Sequence, residues 1–385
     1  MKVTIVCDIL GETNNGTTLA AKNLIAHLQE KGHDVTVVSP DKTTEGKPGY
    51  LVVPVANLGA LPNKVLERNG VQLAKADEKI LRSAIEGADV VHCLFPFPLA
   101  CKAAKIAEEL HKPLTASFHC QAENLTSHLG MINSHAANHI VYKVFYEKVY
   151  RRCHAVHYPT QFIRDLYEKN VRKKTAGVVI SNGVNDLFFS ETGAEKFPKY
   201  TIISTGRFCK EKSQKTLIKA LAASPYKDKI HVIFAGSGPD ENKLKRKAQR
   251  AGIDAEFRFF SREELVKKLR GADLYVHTSL IEIEAIACTE AIVCGLVPVI
   301  CNSERSATKA FAADERCLYK KKSAKDLRKK ITYFYEHPEA RDLYREKYRD
   351  LAGSFRQSVC MDKMEQMLYA AIERAKNSET GGKNG

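Results

Sequence analysis

The run 282-EIEAIACTEAIVCGLVPVI-300 places two carboxylates, Glu282 and Glu290, around a small apolar segment that halts at Gly295 and resumes as LVPVI. Residues 283 to 294 have helix-forming composition, Gly295 supplies a stop, and LVPVI has the unbroken apolar character of a strand buried on both faces. A helix feeding a buried strand is the repeating unit of a parallel sheet covered by helices. Glu282 lies in the loop entering that helix, and Glu290 follows about two turns later. The helix start is lined by Ala285 and Ile286, so its unpaired amides stay open to an anionic group that the helix dipole favours. Acids around such a start suit a polyhydroxylated anion, one accepting from hexose hydroxyls and the other from ribose hydroxyls. The plainer alternative is acids that stabilise the helix dipole.

The alternation extends outward in both directions. Upstream in the same half, KYTIISTGR (199–207), IHVIFAGSG (230–238), AEFRFF (255–260) and DLYVHTS (273–279) read as strands, separated by helical SQKTLIKALAAS, DENKLKRKAQRAG and REELVKKLRGA. The first half repeats the pattern: KVTIVCDI, HDVTVVSP, ADVVHCLF and PLTASFHC as strands, with helices over about 17–31, 77–87 and 99–111. Two successive doubly wound parallel-sheet domains are expected, joined by a polar, turn-rich linker at about 183–199. The domain reading is 1–190, then 191–357, then a helix over 358–376 packing back on the first domain, then a disordered tail, 377–385.

Composition agrees. A chain of 385 residues exceeds the roughly 250 to 300 at which single cores stop growing. Hydrophobic content of 44% with 27% charged residues excludes a disordered chain. The formal net charge of +15 favours anionic partners: phosphorylated small molecules, nucleic acid or an anionic membrane surface. No RRM, KH or helix-turn-helix signature is present, which argues against nucleic acid. No apolar run is long enough to span a bilayer, and MKVTIVCDIL reads as a first strand and not as a signal peptide. Eleven cysteines, an odd number scattered singly through apolar runs, read as reduced buried thiols of a cytosolic protein. With no CxxC and no Cys/His cluster at ligand spacing, no metal is expected.

Ligands of doubly wound sheets bind beyond the carboxyl ends of the strands, so the strand-end residues are the candidates. Gly16, in GETNNGTTLAAKNL, precedes a helix and lets bare amides approach an anion, or is a turn glycine. The segment lacks GxGxxG, so a dinucleotide cofactor is not supported. His119 follows the strand LTASF, with Glu123 four residues on, and His92 occupies a comparable strand end. Arg207 and Lys212, in STGRFCKEK, follow the first strand of the second domain and suit a diphosphate, the guanidinium as a fork and the ammonium as a point charge. Gly236 and Gly238, in AGSGPDENKL, stand at the next strand end as candidate binding-loop glycines, or form a plain turn and a helix N-cap.

Glu282-x7-Glu290 followed by AIVCGLVPVI, together with STGRFCKEK and the two doubly wound units, resembles the retaining family 4 glycosyltransferases over essentially the whole chain. NNGTTLAAKNLIAHLQEKGHDVTVVSP, KADEKILRSAIEGADVVH, SFHCQAEN and EAIACTEAIVCGLVPVICNSERSAT are similar to bacterial lipid α-glucosyltransferases acting on diacylglycerol or cholesterol. The resemblance implies the GT-B fold, two Rossmann-like domains facing a cleft. It implies that Glu282 contacts the donor hexose, that Glu290 holds the ribose, with Ala285 and Ile286 beside them at the helix start, and that Arg207 and Lys212 neutralise the diphosphate. Gly16 would let the first domain approach the phosphates, Gly236 would belong to the donor-binding set, and His119 would sit near the transferring sugar. Many relatives carry a Gly-Phe-Gly-like run after the first Glu, whereas here the run is Ile-Glu-Ala, with Glu284 read in place of a glycine and able to contact the sugar itself.

The expectation is therefore a hexosyltransferase that moves glucose, or else galactose, from UDP to a membrane lipid hydroxyl with retention. It needs no cofactor or metal and works at the cytoplasmic face of the cell membrane. A family 4 enzyme acting on a soluble or polyprenyl-linked glycan is the alternative, and an idle sugar-nucleotide-binding subunit is the alternative of another class. Residues 143–174 carry nine Lys/Arg against three Asp/Glu with interleaved aromatics, which fits either a face lying on anionic headgroups or a solvated helix packed on the core.

Overall fold

A computed structural model describes residues 1–8, 16–57, 59, 73–128, 131, 134–190 and 193–381. The chain forms two compact units, one of 1–181 with 360–385 and one of 182–359.

The first unit holds seven parallel strands: β1 (Lys2–Val6), β2 (Asp34–Ser39), β3 (Tyr50–Val52), β4 (Val90–Cys93), β5 (Leu114–Ser117), β6 (Ala155–Tyr158) and β7 (Gly177–Val179). They lie in the order β3-β2-β1-β4-β5-β6-β7. Residues 3 to 6 of β1 and all of β4, β5 and β6 are buried, as strands covered by helices on both faces require. Three helices of this unit start at side-chain caps in the linking loops: Asp77 accepts from Ile80 N, Ser134 from Ala137 N and Thr160 from Ile163 N. Helix Gln357–Gly381 presents Met361, Met364, Met367 and Leu368 to a core that includes Leu24, Ile25 and Leu28 of helix Gly16–Glu30 and Val3 and Ile5 of β1.

The second unit holds β8 (Tyr200–Thr205), β9 (Ile230–Ala235), β10 (Ala255–Arg258), β11 (Leu274–His277), β12 (Pro298–Asn302) and β13 (Leu318–Lys320), ordered β10-β9-β8-β11-β12-β13 and parallel throughout. Its core runs from Val184 and Phe188 to Phe355. The sequence order reverses between β1 and β4 in the first sheet and between β8 and β11 in the second. These are the two topological switch points.

Three expectations are corrected. The stretch read as a linker is built into the second unit: Val184 and Phe188 are fully buried, and Val184 N donates to Phe355 O at 2.6 Å. The unit boundary falls at 181/182 because those apolar side chains need that core. The tail read as disordered from 377 is helical to Gly381, extended by bonds such as Ser378 Oγ to Arg374 O at 2.6 Å; residues 382–385 lie outside the described residues. The basic stretch 143–174 is no single surface face. It includes the buried strand β6, and Tyr150, Tyr158 and Tyr167 pack around Phe118 in the interior.

Candidate active site

At the second switch point, β8 ends at Thr205 and runs on into the loop Gly206-Arg207, and β11 ends at His277. The loops that follow are stitched together. Thr278 Oγ1 donates to Lys212 O at 2.6 Å, and Leu280 N donates to Glu211 O at 2.8 Å. The stitching brings Lys212 and Glu282, 70 positions apart, into direct contact: Lys212 Nζ donates to Glu282 Oε1. His277 Nε2 lies 3.2 Å from the same oxygen, while its Nδ1 lies 3.2 Å from Tyr275 Oη, which in turn bonds Thr205 Oγ1 at 2.9 Å.

Burial alone would raise the Glu282 carboxyl, but the Lys212 charge and then His277 overcome it and hold it at about 2. Burial would likewise lower Lys212, and the Glu282 charge reverses that, leaving the ammonium above its ordinary value. Glu282 is therefore an ionised acceptor and no proton donor, beside a fixed positive charge. Its backbone is fixed too, Ala307 N donating to Glu282 O at 2.9 Å.

Helix Ile286–Val293 begins four residues after Glu282. Like helices Pro98–Glu109, Lys215–Ala222, Glu241–Arg250 and Pro338–Gly353 it starts without a side-chain cap bond, but it does so from Ala285 in left-handed conformation at φ 69° and ψ 61°. A left-handed alanine costs on the order of 1 kcal/mol. The position whose backbone calls for glycine is thus Ala285, and not Glu284 as the sequence reading had it. Glu284 is buried, and its carboxylate accepts from Asn182 N at 3.1 Å and Asn182 Nδ2 at 2.6 Å. That ties the entry of the second unit to the loop and gives Glu284 a structural partner. Burial pushes the Glu290 carboxyl up to about 7, with Arg262 only partly opposing it.

Arg207 is exposed at the mouth of the β8 loop, and its carbonyl accepts from Gln214 Nε2 at 2.9 Å. The glycines beside it have a packing reason. A Cβ at Gly236 would meet Gly206 O at 2.2 Å, and one at Gly238 would meet Phe208 O at 2.6 Å. They let the β9 loop lie against the β8 loop, which positions Arg207. Gly16 is the first residue of helix Gly16–Glu30, but residues 9–15, on which its reading as a phosphate approach rests, lie outside the described residues.

His119 belongs to the first unit, beyond β5. Its ring lies 5.6 Å from that of His157 and 6.2 Å from Phe95, and burial, then His157 and His92, hold it well below the ordinary histidine range. Beneath it runs a buried chain: His92 Nε2 to Ser117 Oγ at 3.0 Å, Ser117 Oγ to His157 Nδ1 at 2.9 Å, and His157 Nε2 to Ile180 O at 2.7 Å. Glu123, four residues after His119, accepts from Tyr142 Oη at 2.6 Å. The structure thus brings Lys212 and Glu282 together and adds His277, which sequence reasoning missed although it carries the same signal as His92, a histidine at a strand end.

Two doubly wound units with parallel sheets of seven and six strands are the architecture of the GT-B fold. The family model Glycosyltransferase Family 4 matches residues 14–186, and Glycosyl transferases group 1 matches residues 188–350. The chain belongs to the family 4 glycosyltransferases. It is 23% identical over 326 residues to alpha-monoglucosyldiacylglycerol synthase of Streptococcus pneumoniae, covering 78% of this chain and 71% of that one. The crystal structure of the catalytic domain of cholesterol-alpha-glucosyltransferase from Helicobacter pylori is 44% identical, covering 40% of this chain and 97% of its own, with a TM-score of 0.38. Anabaena Alr3699/HepE in complex with UDP is 16% identical and covers 96% of this chain and 100% of its own with a TM-score of 0.73, a likeness of fold.

Proposed function

We propose that the chain transfers glucose from UDP-glucose to a hydroxyl of a membrane lipid such as diacylglycerol, with retention. The observation that carries the donor half is the Lys212–Glu282 pair at the switch point, beside an uncapped helix start and the guanidinium of Arg207. The acceptor half is supported by the relative that spans most of this chain, named for making α-monoglucosyldiacylglycerol.

In this reading Lys212, Arg207 and the amides of helix Ile286–Val293 take up the negative charge that grows on the departing UDP, so no metal or other cofactor is needed. Glu282, held ionised, accepts hydrogen bonds from the hexose hydroxyls. Glu290 accepts from the ribose hydroxyls. The bond from the anomeric carbon to the diphosphate oxygen breaks, the acceptor oxygen bonds to the same face, and its proton passes to the departing phosphate oxygen. His119 serves the acceptor side as a neutral hydrogen-bonding imidazole.

Helix His135–Lys148 supports contact with an anionic membrane surface. Ile140 and Val144, one turn apart, are 61% and 48% exposed, and the exposed Lys143 lies between them. Apolar side chains flanked by lysine are what a peripheral face lays into anionic headgroups, each cation contributing about 1 kcal/mol.

The test is transfer of labelled hexose from UDP-glucose and UDP-galactose into liposomes carrying diacylglycerol, a sterol or ceramide, with Glu282→Ala as control. Glucose label in a lipid product, lost in the variant, is the expected result. Donor hydrolysis with no lipid product in any liposome would remove the lipid acceptor and turn the search to glycans.

A further inference from the structure

Among the described residues, His27, Asp362 and Glu365 form the one group of three metal-ligand side chains whose donor atoms all lie within 4.8 Å of one another. His27 lies in the last turn of helix Gly16–Glu30, while Asp362 and Glu365, three positions apart and so on one face, lie near the start of helix Gln357–Gly381. His27 Nε2 is 3.4 Å from Asp362 Oδ1 and 3.6 Å from Glu365 Oε2. A tetrahedral ion with bonds of about 2.0 to 2.2 Å sets its ligand atoms roughly 3.3 to 3.6 Å apart.

Two further observations point to an ion. His27 Nε2 is buried and makes no hydrogen bond although it faces two carboxylate oxygens, and its side chain is only 11% exposed. With its proton on Nδ1, the imidazole offers the Nε2 lone pair beside two carboxylate oxygens, the donor set that a divalent cation takes. The other oxygen of Glu365 is held at 2.8 Å by Nε2 of the buried His33, an outer partner that fixes the carboxylate's orientation as such partners do in metal sites. Lys31 Nζ lies 3.0 Å from Asp362 Oδ1 and is half-exposed, so it competes for that oxygen yet can swing into solvent.

We propose that His27, Asp362 and Glu365 bind a divalent transition ion of the zinc class, with water in the fourth position, clamping the C-terminal helix to helix Gly16–Glu30. An imidazole with two carboxylates suits zinc, cobalt or nickel, whereas calcium and magnesium take oxygen donors alone. The clamp is independent of the transfer chemistry. It closes the first unit from its two distant segments, whose helices already share one core.

The test is titration of the full chain with cobalt(II), followed by visible absorption and by competition with zinc. The expected result is one equivalent with ligand-field bands and no thiolate-to-cobalt charge transfer, binding at least tenfold weaker in His27→Ala and severalfold tighter in Lys31→Ala. Both variants retain hexose transfer, which shows that they fold. With one equivalent of zinc, amide exchange in residues 360–376 slows in the parent and not in His27→Ala. A thiolate charge-transfer spectrum, or an affinity unchanged in both variants, would overturn the site.

Discussion

The two switch points share a topology and differ in chemistry. At the second, between β8 and β11, the side chains that converge are charged: Lys212, Glu282 and the adjoining His277. At the first, between β1 and β4, the buried carboxyl of Asp8, raised to about 7, accepts from Leu99 N and Ala100 N, and the other described groups nearby are imidazoles that burial keeps neutral, His92 at about 3 and His157 at about 4, with His119 also lowered, beside the stacked rings of Phe95 and Phe97. One fold thus presents a site built to offset charge and a site built to exclude it. A donor that leaves as a diphosphate needs the first kind, and an uncharged acceptor hydroxyl is compatible with the second.

The largest effect expected from a substitution is in the charged site. Glu282→Ala should cost about 10²- to 10³-fold in kcat for hexose transfer, because it removes the proposed sugar contact and leaves Lys212 and His277 without their anion. His119→Asn, in the neutral site, should cost less and act mainly on acceptor KM. Equal losses in both would erase the functional division between the units.

The pH response should separate the units next. The folded values of His92 and His157 lie below the ordinary 6.5, so the unfolded chain binds the extra protons. Their contribution is complete above about 6.5 and is lost as pH falls toward 4 and 3, on the order of 3 kcal/mol for His157 and 5 kcal/mol for His92. Asp8 in the same unit, raised by burial to about 7, runs the other way and partly offsets them. In the second unit Glu290 gains stability as pH falls from about 7, and Glu282, lowered to about 2, gives its contribution up only below 4.5. Hydrogen exchange resolved by unit should show the first unit opening between pH 6 and 4 while the second stays protected. Simultaneous opening would contradict the comparison.

A smaller effect sharpens the reading of Glu290. Hydroxyl donors favour its ionised form, so donor binding lowers its value from about 7 and releases a proton, and affinity rises with pH through neutrality. Calorimetry in buffers of differing ionisation enthalpy should detect that release in the parent and not in Glu290→Gln, whose affinity for UDP-glucose should fall about tenfold. The smallest effect is Ala285→Gly, expected to raise stability by about 1 kcal/mol in denaturant unfolding, because glycine adopts φ 69° without strain.

Much of this was legible in the sequence, and the remainder has physical reasons. The alternation of apolar strands and amphipathic helices carries the two parallel sheets, and Glu282-x7-Glu290 marks the helix entry because its spacing is local. The contact of Lys212 with Glu282 is not local; it depends on β8 and β11 being neighbours, which follows from strand order. His277 was passed over because a strand-end histidine looks alike whether it is structural or not. The stretch 143–174 misled because interleaved aromatics read the same whether they face a membrane or, as Tyr150, Tyr158 and Tyr167 do, the core. The cluster of His27 with Asp362 and Glu365 was invisible to ligand spacing, since even its outer pair, His33 and Glu365, is 332 positions apart.

The central claim is that the charged switch point grips the diphosphate donor, and the most direct measurement is UDP binding by calorimetry to the parent chain, Lys212→Ala and His119→Ala. The account predicts at least tenfold weaker binding in Lys212→Ala and unchanged binding in His119→Ala. Undiminished affinity in Lys212→Ala, or an equal loss in His119→Ala, would contradict it.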